Sequence, residues 1–338
     1  MPADHRIFEL GSIDLTSGAV LRDARLAYQT YGTLSPEGDN VVVMPTFYTG
    51  THTRNEGFFG PGRALDPARH FIVCVNLFGN GLSSSPSTVE GPQGGSGFPS
   101  ISFQDNIAAQ HKLLTDELGV QRIALVLGWS MAGCQAYHWA SQYPDMVQAI
   151  LPFCASARTS PHNFVFLEGV KAALCADPAW NNGDYTRQPV EGLRAFGRVY
   201  AGWAFSQAFY REARYRELGF DSIAALLDDW AEDHAANWDA NDLLAKLATW
   251  QAGDISTGSV FRGDFEAALR SIRARAIVMP CLQDLYFPPE DNAYEALFLA
   301  NGVCRPVASE FGHCAANPGN DRGFTAQLDA NIATLLQD

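Results

Sequence analysis

The sequence predicts an α/β fold: a mostly parallel central sheet flanked by helices, with a helical segment inserted into the series. Three observations carry this expectation. Short continuous apolar runs recur along the chain, helix-like stretches separate them, and residues 157–265 hold almost no strand pattern. A run that is apolar at every position suits a strand buried on both faces, as in a parallel sheet covered by helices.

Taken in order, the first forty residues hold short alternating runs such as Arg25 to Tyr31 (RLAYQTY), broken by Gly32. They predict antiparallel strands joined by turns. The buried-strand pattern then begins with Val41 to Met44 and Phe71 to Val75, and continues with Ile123 to Leu127, Ile150 to Phe153 and Ala276 to Met279. Asp105 to Leu118 reads as a helix that stops before Gly119, and Met131 to Tyr143 as one that stops before Pro144. Within the insertion, Phe164 to Ala173, Val190 to Glu212, Ser222 to Ala235 and Ala240 to Thr249 carry helical patterns rich in alanine and aromatic residues. After it come a helix at Glu290 to Ala300, a strand at Arg305 to Ser309 and a closing helix from Phe324 to Leu336. The expected organisation is a core of residues 1–156 and 266–338 with a helical cap, or lid, over residues 157–265.

Bulk properties narrow the function. Twenty-three basic against thirty-seven acidic residues give a formal charge of −14, and no Lys/Arg-rich run occurs. Nucleic acid is therefore not an expected partner, because phosphate binding needs concentrated positive charge. No run of eighteen apolar residues and no signal-peptide pattern is seen, so neither a membrane span nor export is expected. The seven cysteines form no C-x-x-C pair, and Cys74, Cys154 and Cys281 lie in or beside apolar runs. Buried free thiols in a reducing cytoplasm are the expectation. No metal-binding spacing is found, and Gly79, Gly81, Gly94 and Gly95 lack the strand–turn–helix context of a dinucleotide fingerprint. Neither a metal nor a cofactor is expected.

The strongest chemical signal is Gly128-Trp129-Ser130-Met131-Ala132-Gly133, placed between the apolar run IALVL and a helix. A serine there sits on a sharp strand-to-helix turn with its hydroxyl above the sheet. The usual pattern has glycine two residues after the serine; Ala132 is the next smallest choice. A serine hydroxyl needs a base, and the base an orienting carboxylate. Asp284 follows one strand-like run and His313, in Phe311-Gly312-His313, follows the next. Both are thus expected at the sheet edge that carries Ser130. His138, on the helix behind the serine, is expected to pack, whereas His52 and His162 are weaker candidates for pocket walls. Oxyanion donors are expected from the backbone N–H of Met131 and from the loop Pro45 to Gly50. Tyr48 N–H is the choice there, with Phe47 and Thr49 as alternatives, and the Tyr48 side chain is left to pack or to serve elsewhere.

These residues resemble the homoserine O-acetyltransferase group of the α/β-hydrolases. The likeness runs through RLAYQTYGTL, Thr49-Gly50, Phe98-Pro99, LGWSMAGCQAYHWASQYPDMV, ALCADPAWNNGDY, WDANDLL, QDLYFPPE and EFGHC, in order along nearly the whole chain. The resemblance implies an α/β-hydrolase fold, the triad Ser130, Asp284 and His313, a helical cap, a homodimer and an acyl-enzyme on the serine. It also marks departures. Trp129 and Ala132 stand where the transferases carry glycine, and Cys314 replaces the aspartate that follows their histidine and helps hold the homoserine amine. Leu82-Ser83-Ser84-Ser85-Pro86 replaces their G-S-T-G-P segment, and the arginine they carry in the cap falls at Gly197 in an alignment without gaps, with Arg198 next to it. A zwitterionic acceptor needs partners for both charges. Trp129, Thr49 and Cys314 are therefore expected to line a pocket for a small ester, in a carboxylic-ester hydrolase of the group's esterase-like branch. The alternative is an O-acyltransferase that takes acetyl-CoA as co-substrate.

Overall fold

The computed structural model describes residues 4–337. Eight strands form one sheet: β1 (Arg6–Asp14), β2 (Val20–Tyr31), β3 (Val41–Pro45), β4 (Phe71–Val75), β5 (Leu125–Trp129), β6 (Ala149–Phe153), β7 (Arg275–Val278) and β8 (Gly302–Cys304). Their spatial order is β1-β2-β4-β3-β5-β6-β7-β8. β1 and β2 pair antiparallel, β2 joins β4 antiparallel, and the remaining pairs are parallel. The helices are α1 (His52–Asn55), α2 (Phe103–Lys112), α3 (Met131–Gln142), α4 (Pro161–Cys175), α5 (Val190–Ala204), α6 (Gln207–Arg211), α7 (Ile223–Asn237), α8 (Ala240–Gln251), α9 (Phe265–Arg270), α10 (Pro289–Ala296) and α11 (Arg322–Leu336).

The apolar runs become strands because each strand residue finds a buried place on one face or the other. Val42, Met44, Ile72, Cys74, Leu125, Leu127, Leu151 and Ile277 join one core. Val41, Val43, Val73, Val75, Val126, Ile150, Ala276 and Val278 join the other. The period-two alternation thus divides side chains between two packed layers rather than between core and water. The first core continues into the insertion through Phe166, Phe196, Leu243 and Trp250.

Four boundaries differ from expectation. The fifth strand lies at Leu125–Trp129, two residues later than predicted, so it delivers the chain directly to Ser130; Ile123 makes only an isolated bridge to Val147. No regular strand forms at 305–309. Arg305 N–H still donates to Val278 O and Val307 N–H to Pro280 O, but Pro280 has no amide hydrogen to return a bond to Arg305, so the regular ladder ends at Cys304 and a single bridge from Val307 to Cys281 prolongs the pairing. The helix expected from Val190 to Glu212 breaks at Phe205 and Ser206, where Phe205 is extended and Ser206 caps α6 through the Phe209 amide at 3.1 Å. Helix α2 begins earlier than predicted because Ser102 and Asp105 form a reciprocal capping box.

Between β6 and β7 the chain leaves the sheet for the helices α4 to α9. Within this insertion α5 packs against both α4 and α7, and α4 also meets α8. The outgoing and returning chains meet: Thr159 N–H donates to Gly253 O at 2.8 Å, Ile255 N–H donates to Ala157 O at 3.2 Å, and Arg158 and Asp254 form a bridge. Beside this neck, Glu295 on α10 is buried (2% exposed). Its carboxylate accepts from Ala157 N–H at 2.7 Å, from Tyr137 Oη at 2.8 Å and from Asn292 Nδ2 at 3.0 Å. One side chain therefore ties α3, α10 and the start of the insertion together.

Burial pushes the Glu295 pKa up from 4.5 to about 7, and its three donors only partly oppose this. A folded-state pKa above the unfolded one means that the native state binds more protons. The stability contribution is thus full below pH 4.5 and is lost as the pH rises through 7. Measured by urea unfolding, the stability difference between the wild type and Glu295→Gln should shift toward the variant by up to about 3 kcal/mol between pH 4.5 and pH 8. A pH-independent difference would show that this carboxyl is ionised throughout.

Candidate active site

The site is built at the carboxyl ends of the central strands. Ser130 lies between β5 and α3 with φ 60° and ψ −130°, outside both helical and extended geometry. Such a conformation is costly for a side-chain-bearing residue and persists only where the surroundings enforce it. Here the enforcement is close packing. A Cβ added at Gly128 would lie 2.3 Å from the Ala132 Cβ, and one at Gly133 would lie 2.5 Å from the Ala155 Cβ and 2.7 Å from Gly128 O. Ala132 is accommodated because Gly128 opposite it has no side chain. Helix α3 starts at Met131, whose N–H makes no hydrogen bond among the described residues, as expected for the first amide of a helix.

Asp284 and His313 come from the two following strand-end loops and meet. His313 Nδ1–H donates to Asp284 Oδ2 at 2.7 Å, and both residues are buried. The other carboxylate oxygen, Oδ1, accepts from Tyr286 N–H and Phe287 N–H, each at 3.1 Å. Those bonds fix the carboxylate, and the carboxylate fixes the tautomer that leaves His313 Nε2 without a proton. The imidazole is also walled by rings: Trp129 at 5.1 Å, Tyr286 at 4.2 Å and Phe287 at 5.6 Å between centroids.

Ser130 and His313 line one cavity of about 340 Å³. All three residues expected in the pocket wall, Trp129, Thr49 and Cys314, line it, as does Tyr48. Trp129 packs on Phe47 at 4.7 Å and narrows the space beside the serine. The insertion contributes Tyr200, Trp230 and His234 to the opposite side. Burial pushes the Cys314 thiol up to about 12. It is therefore neutral at physiological pH and offers no charge to an ammonium group.

The other expectations divide. His138 is buried, has no hydrogen-bond partner among the described residues, and stacks near Phe103 at 5.0 Å; burial drops its pKa to about 3. It packs, as expected. His52 and His162 do not line this cavity. His52 lies beside Asn76, and His162 bonds Leu285 O at 2.7 Å. Asp4, His5 and His52 form one group of ligand-type atoms within 4.8 Å of one another, and Cys154, Asp284 and His313 form another, whose Asp and His already bond each other. Gly197 leaves no room for a side chain. A Cβ there would lie 2.3 Å from Trp230 O, so α5 and α7 approach too closely for a side chain. Arg198 points elsewhere and pairs with Asp228.

The sequence reading missed the support behind the Pro45 to Gly50 loop. Tyr48 Oη donates to Leu243 O at 2.8 Å, and Lys246 Nζ donates to Tyr48 O at 2.7 Å. The signal lay in the helical spacing of Leu243, Lys246, Leu247 and Trp250, which puts a lysine on an otherwise apolar face. Gln135 Nε2 adds a bond to Thr46 O at 3.0 Å from α3.

A serine on a strained strand-to-helix turn, with a buried His–Asp pair from later strand-end loops, defines an α/β hydrolase. The family model for the alpha/beta hydrolase fold matches residues 40–315, and the chain belongs to that family. It is 37% identical to the ethyl acetate hydrolase of Pseudomonas veronii over 98% of this chain and 96% of that one. It is 32% identical to the homoserine O-acetyltransferase of Trichormus variabilis, over 89% and 86%. The solved structure of the acetyl esterase MekB superposes with a TM-score of 0.96 at 36% identity, over 99% of this chain and 97% of that one.

The Gly197 contact is directly testable. Gly197→Arg should destabilise the fold by more than about 3 kcal/mol or prevent its recovery in soluble form, read by urea unfolding. A melting curve like the wild type would show that α5 and α7 separate easily.

Proposed function

We propose that this protein is a carboxylic-ester hydrolase acting on acetyl and other short acyl esters through a covalent intermediate on Ser130. The observation that carries this reading is the His313–Asp284 pair, facing the same cavity as a serine held at positive φ. His313 Nε2 takes the Ser130 proton as Oγ attacks the acyl carbonyl. The N–H groups of Met131 and Tyr48 receive the developing oxyanion. His313 then protonates the departing alcohol, takes a proton from water as the hydroxide attacks the acyl-enzyme, and returns it to Ser130 Oγ as the carboxylic acid leaves.

Hydrolysis is favoured over transfer by what flanks the triad. The neutral Cys314 thiol gives an acceptor amine no ionic partner, and α5 has no room for an arginine at position 197. The ethyl acetate hydrolase and acetyl esterase relatives, which span nearly the full chain, support the acetyl-ester class. Transfer of acetyl from acetyl-CoA to an alcohol acceptor is the second reading, favoured by the homoserine O-acetyltransferase relative. We further propose a cytoplasmic homodimer. The free cysteines agree with a reducing compartment, and no helix among the described residues is long and apolar enough to cross a membrane.

Supplied with ethyl acetate or acetyl-CoA, with and without homoserine, the enzyme should release acetate at a rate indifferent to homoserine. Stoichiometric O-acetylhomoserine would establish the transferase instead. Ser130→Ala should abolish turnover and labelling by an organophosphonate. Asp284→Asn, which frees the imidazole to adopt the wrong tautomer, should lower kcat by about 10⁴; near-normal kcat in that variant would remove Asp284 from the mechanism.

A further inference from the structure

We propose that Lys246 is a positioning residue for the oxyanion site, acting from behind the Tyr48 backbone and outside the cavity. The inference rests on the acyl-enzyme reading above. Lys246 is fully buried in α8, and its amino nitrogen donates to Tyr48 O at 2.7 Å. The Tyr48 hydroxyl is held by the same helix through Leu243 O at 2.8 Å. One residue is thus anchored at its carbonyl and at the tip of its side chain, one turn apart on a rigid element. These anchors fix the Tyr48 carbonyl and side chain, and Phe47 O, in the same peptide plane as the Tyr48 N–H, accepts from Gly50 N–H at 3.1 Å, so the direction of that N–H is held.

The surroundings are shaped around this lysine. Its nitrogen lies 4.1 Å from the centre of the Trp238 ring. Its stem passes Gly79, where an added Cβ would lie 3.1 Å from Lys246 Cγ. Gly79 belongs to the loop after β4, whose Ser87 N–H donates to Asp242 Oδ1 at 2.9 Å, one turn before Lys246. Burial pulls the Lys246 pKa down, and the Asp242 carboxylate pulls it back up. In either protonation state the nitrogen keeps an N–H to donate, so the anchor does not depend on its charge. An oxyanion donor acts only when it is aimed where the charge develops. A loosened Tyr48 should therefore weaken the tetrahedral state far more than the bound ester.

The test compares two ligands on folded enzyme. A short alkyl trifluoromethyl ketone forms a bond from Ser130 Oγ to its carbonyl carbon. The serine proton passes to His313, and the carbonyl electron pair becomes an oxyanion. The matching unfluorinated ketone binds without that bond. In Lys246→Met, the inhibition constant of the trifluoromethyl ketone should rise about tenfold or more, in step with the fall in kcat/KM. The constant for the plain ketone should stay within about twofold. An unchanged trifluoromethyl ketone constant, or equal weakening of both ligands, would overturn the proposal. Should the methionine variant not fold, the same two constants are read on Lys246→Gln, whose shorter stem withdraws the donor, with the same criteria. Ser130→Ala separates the two levels of inference. If it binds the trifluoromethyl ketone as well as the wild type does, the acyl-enzyme reading fails; if it loses that affinity while the Lys246 variants keep it, only the role of Lys246 fails.

Discussion

The site depends on one backbone constraint, the positive φ of Ser130. A side-chain-bearing residue does not hold that conformation by preference, so its neighbours must supply the force. They do so by contact: Gly128 against Ala132, and Gly133 against Ala155 and the Gly128 carbonyl, at separations where no further carbon fits. The parallel pairing of β5 with β3 and β6 holds the incoming strand, and α3 holds the outgoing chain. The serine is the point at which two rigid elements are forced to meet. The same junction leaves the Met131 amide without a partner among the described residues, so the strain and the proposed oxyanion donor have one cause.

From that point the remaining chemistry follows the order of the strands. β7 and β8 continue the sheet on the same side, and the loops after them bring Asp284 and His313 into contact. Neither residue is placed by a long reach. The carboxylate is pinned by two amides of its own loop, and the imidazole lies among Trp129, Tyr286 and Phe287. Rigid loops on a rigid sheet give a proton acceptor whose free nitrogen has one orientation.

Much of this was legible in the sequence because it is local. Continuous apolar runs such as Phe71 to Val75 have few alternatives to a buried strand, and Ser130 carries its context on both sides. Asp284 and His313 were legible by order alone, since each follows a strand-like run. Boundaries set by single backbone groups were not. The missing amide of Pro280 ended the regular pairing of β7 with β8 at Cys304, and the capping box of Ser102 and Asp105 moved the start of α2. Contacts between distant segments were also hidden. Nothing near Tyr48 announces that its carbonyl and hydroxyl are held by residues 195 to 198 positions away. The close approach of α5 and α7 gave Gly197 its meaning only once both helices were placed.

The neck of the helical insertion has a consequence for how such a molecule can vary. The chain departs at residues 157–159 and returns at 253–255, and the two passages are hydrogen-bonded to each other. From the standpoint of the sheet, everything between them is a closed loop whose ends already touch. Loop-closure entropy grows only slowly with length, so α5 to α7 can be lengthened, exchanged or reshaped there without altering the register of β6 and β7. The part of the cavity wall that Tyr200, Trp230 and His234 supply is thus free to diverge, while the elbow and the His–Asp pair stay in place. A lineage can change what it admits to the serine by rewriting α5 to α7, provided α8 keeps its hold on Tyr48.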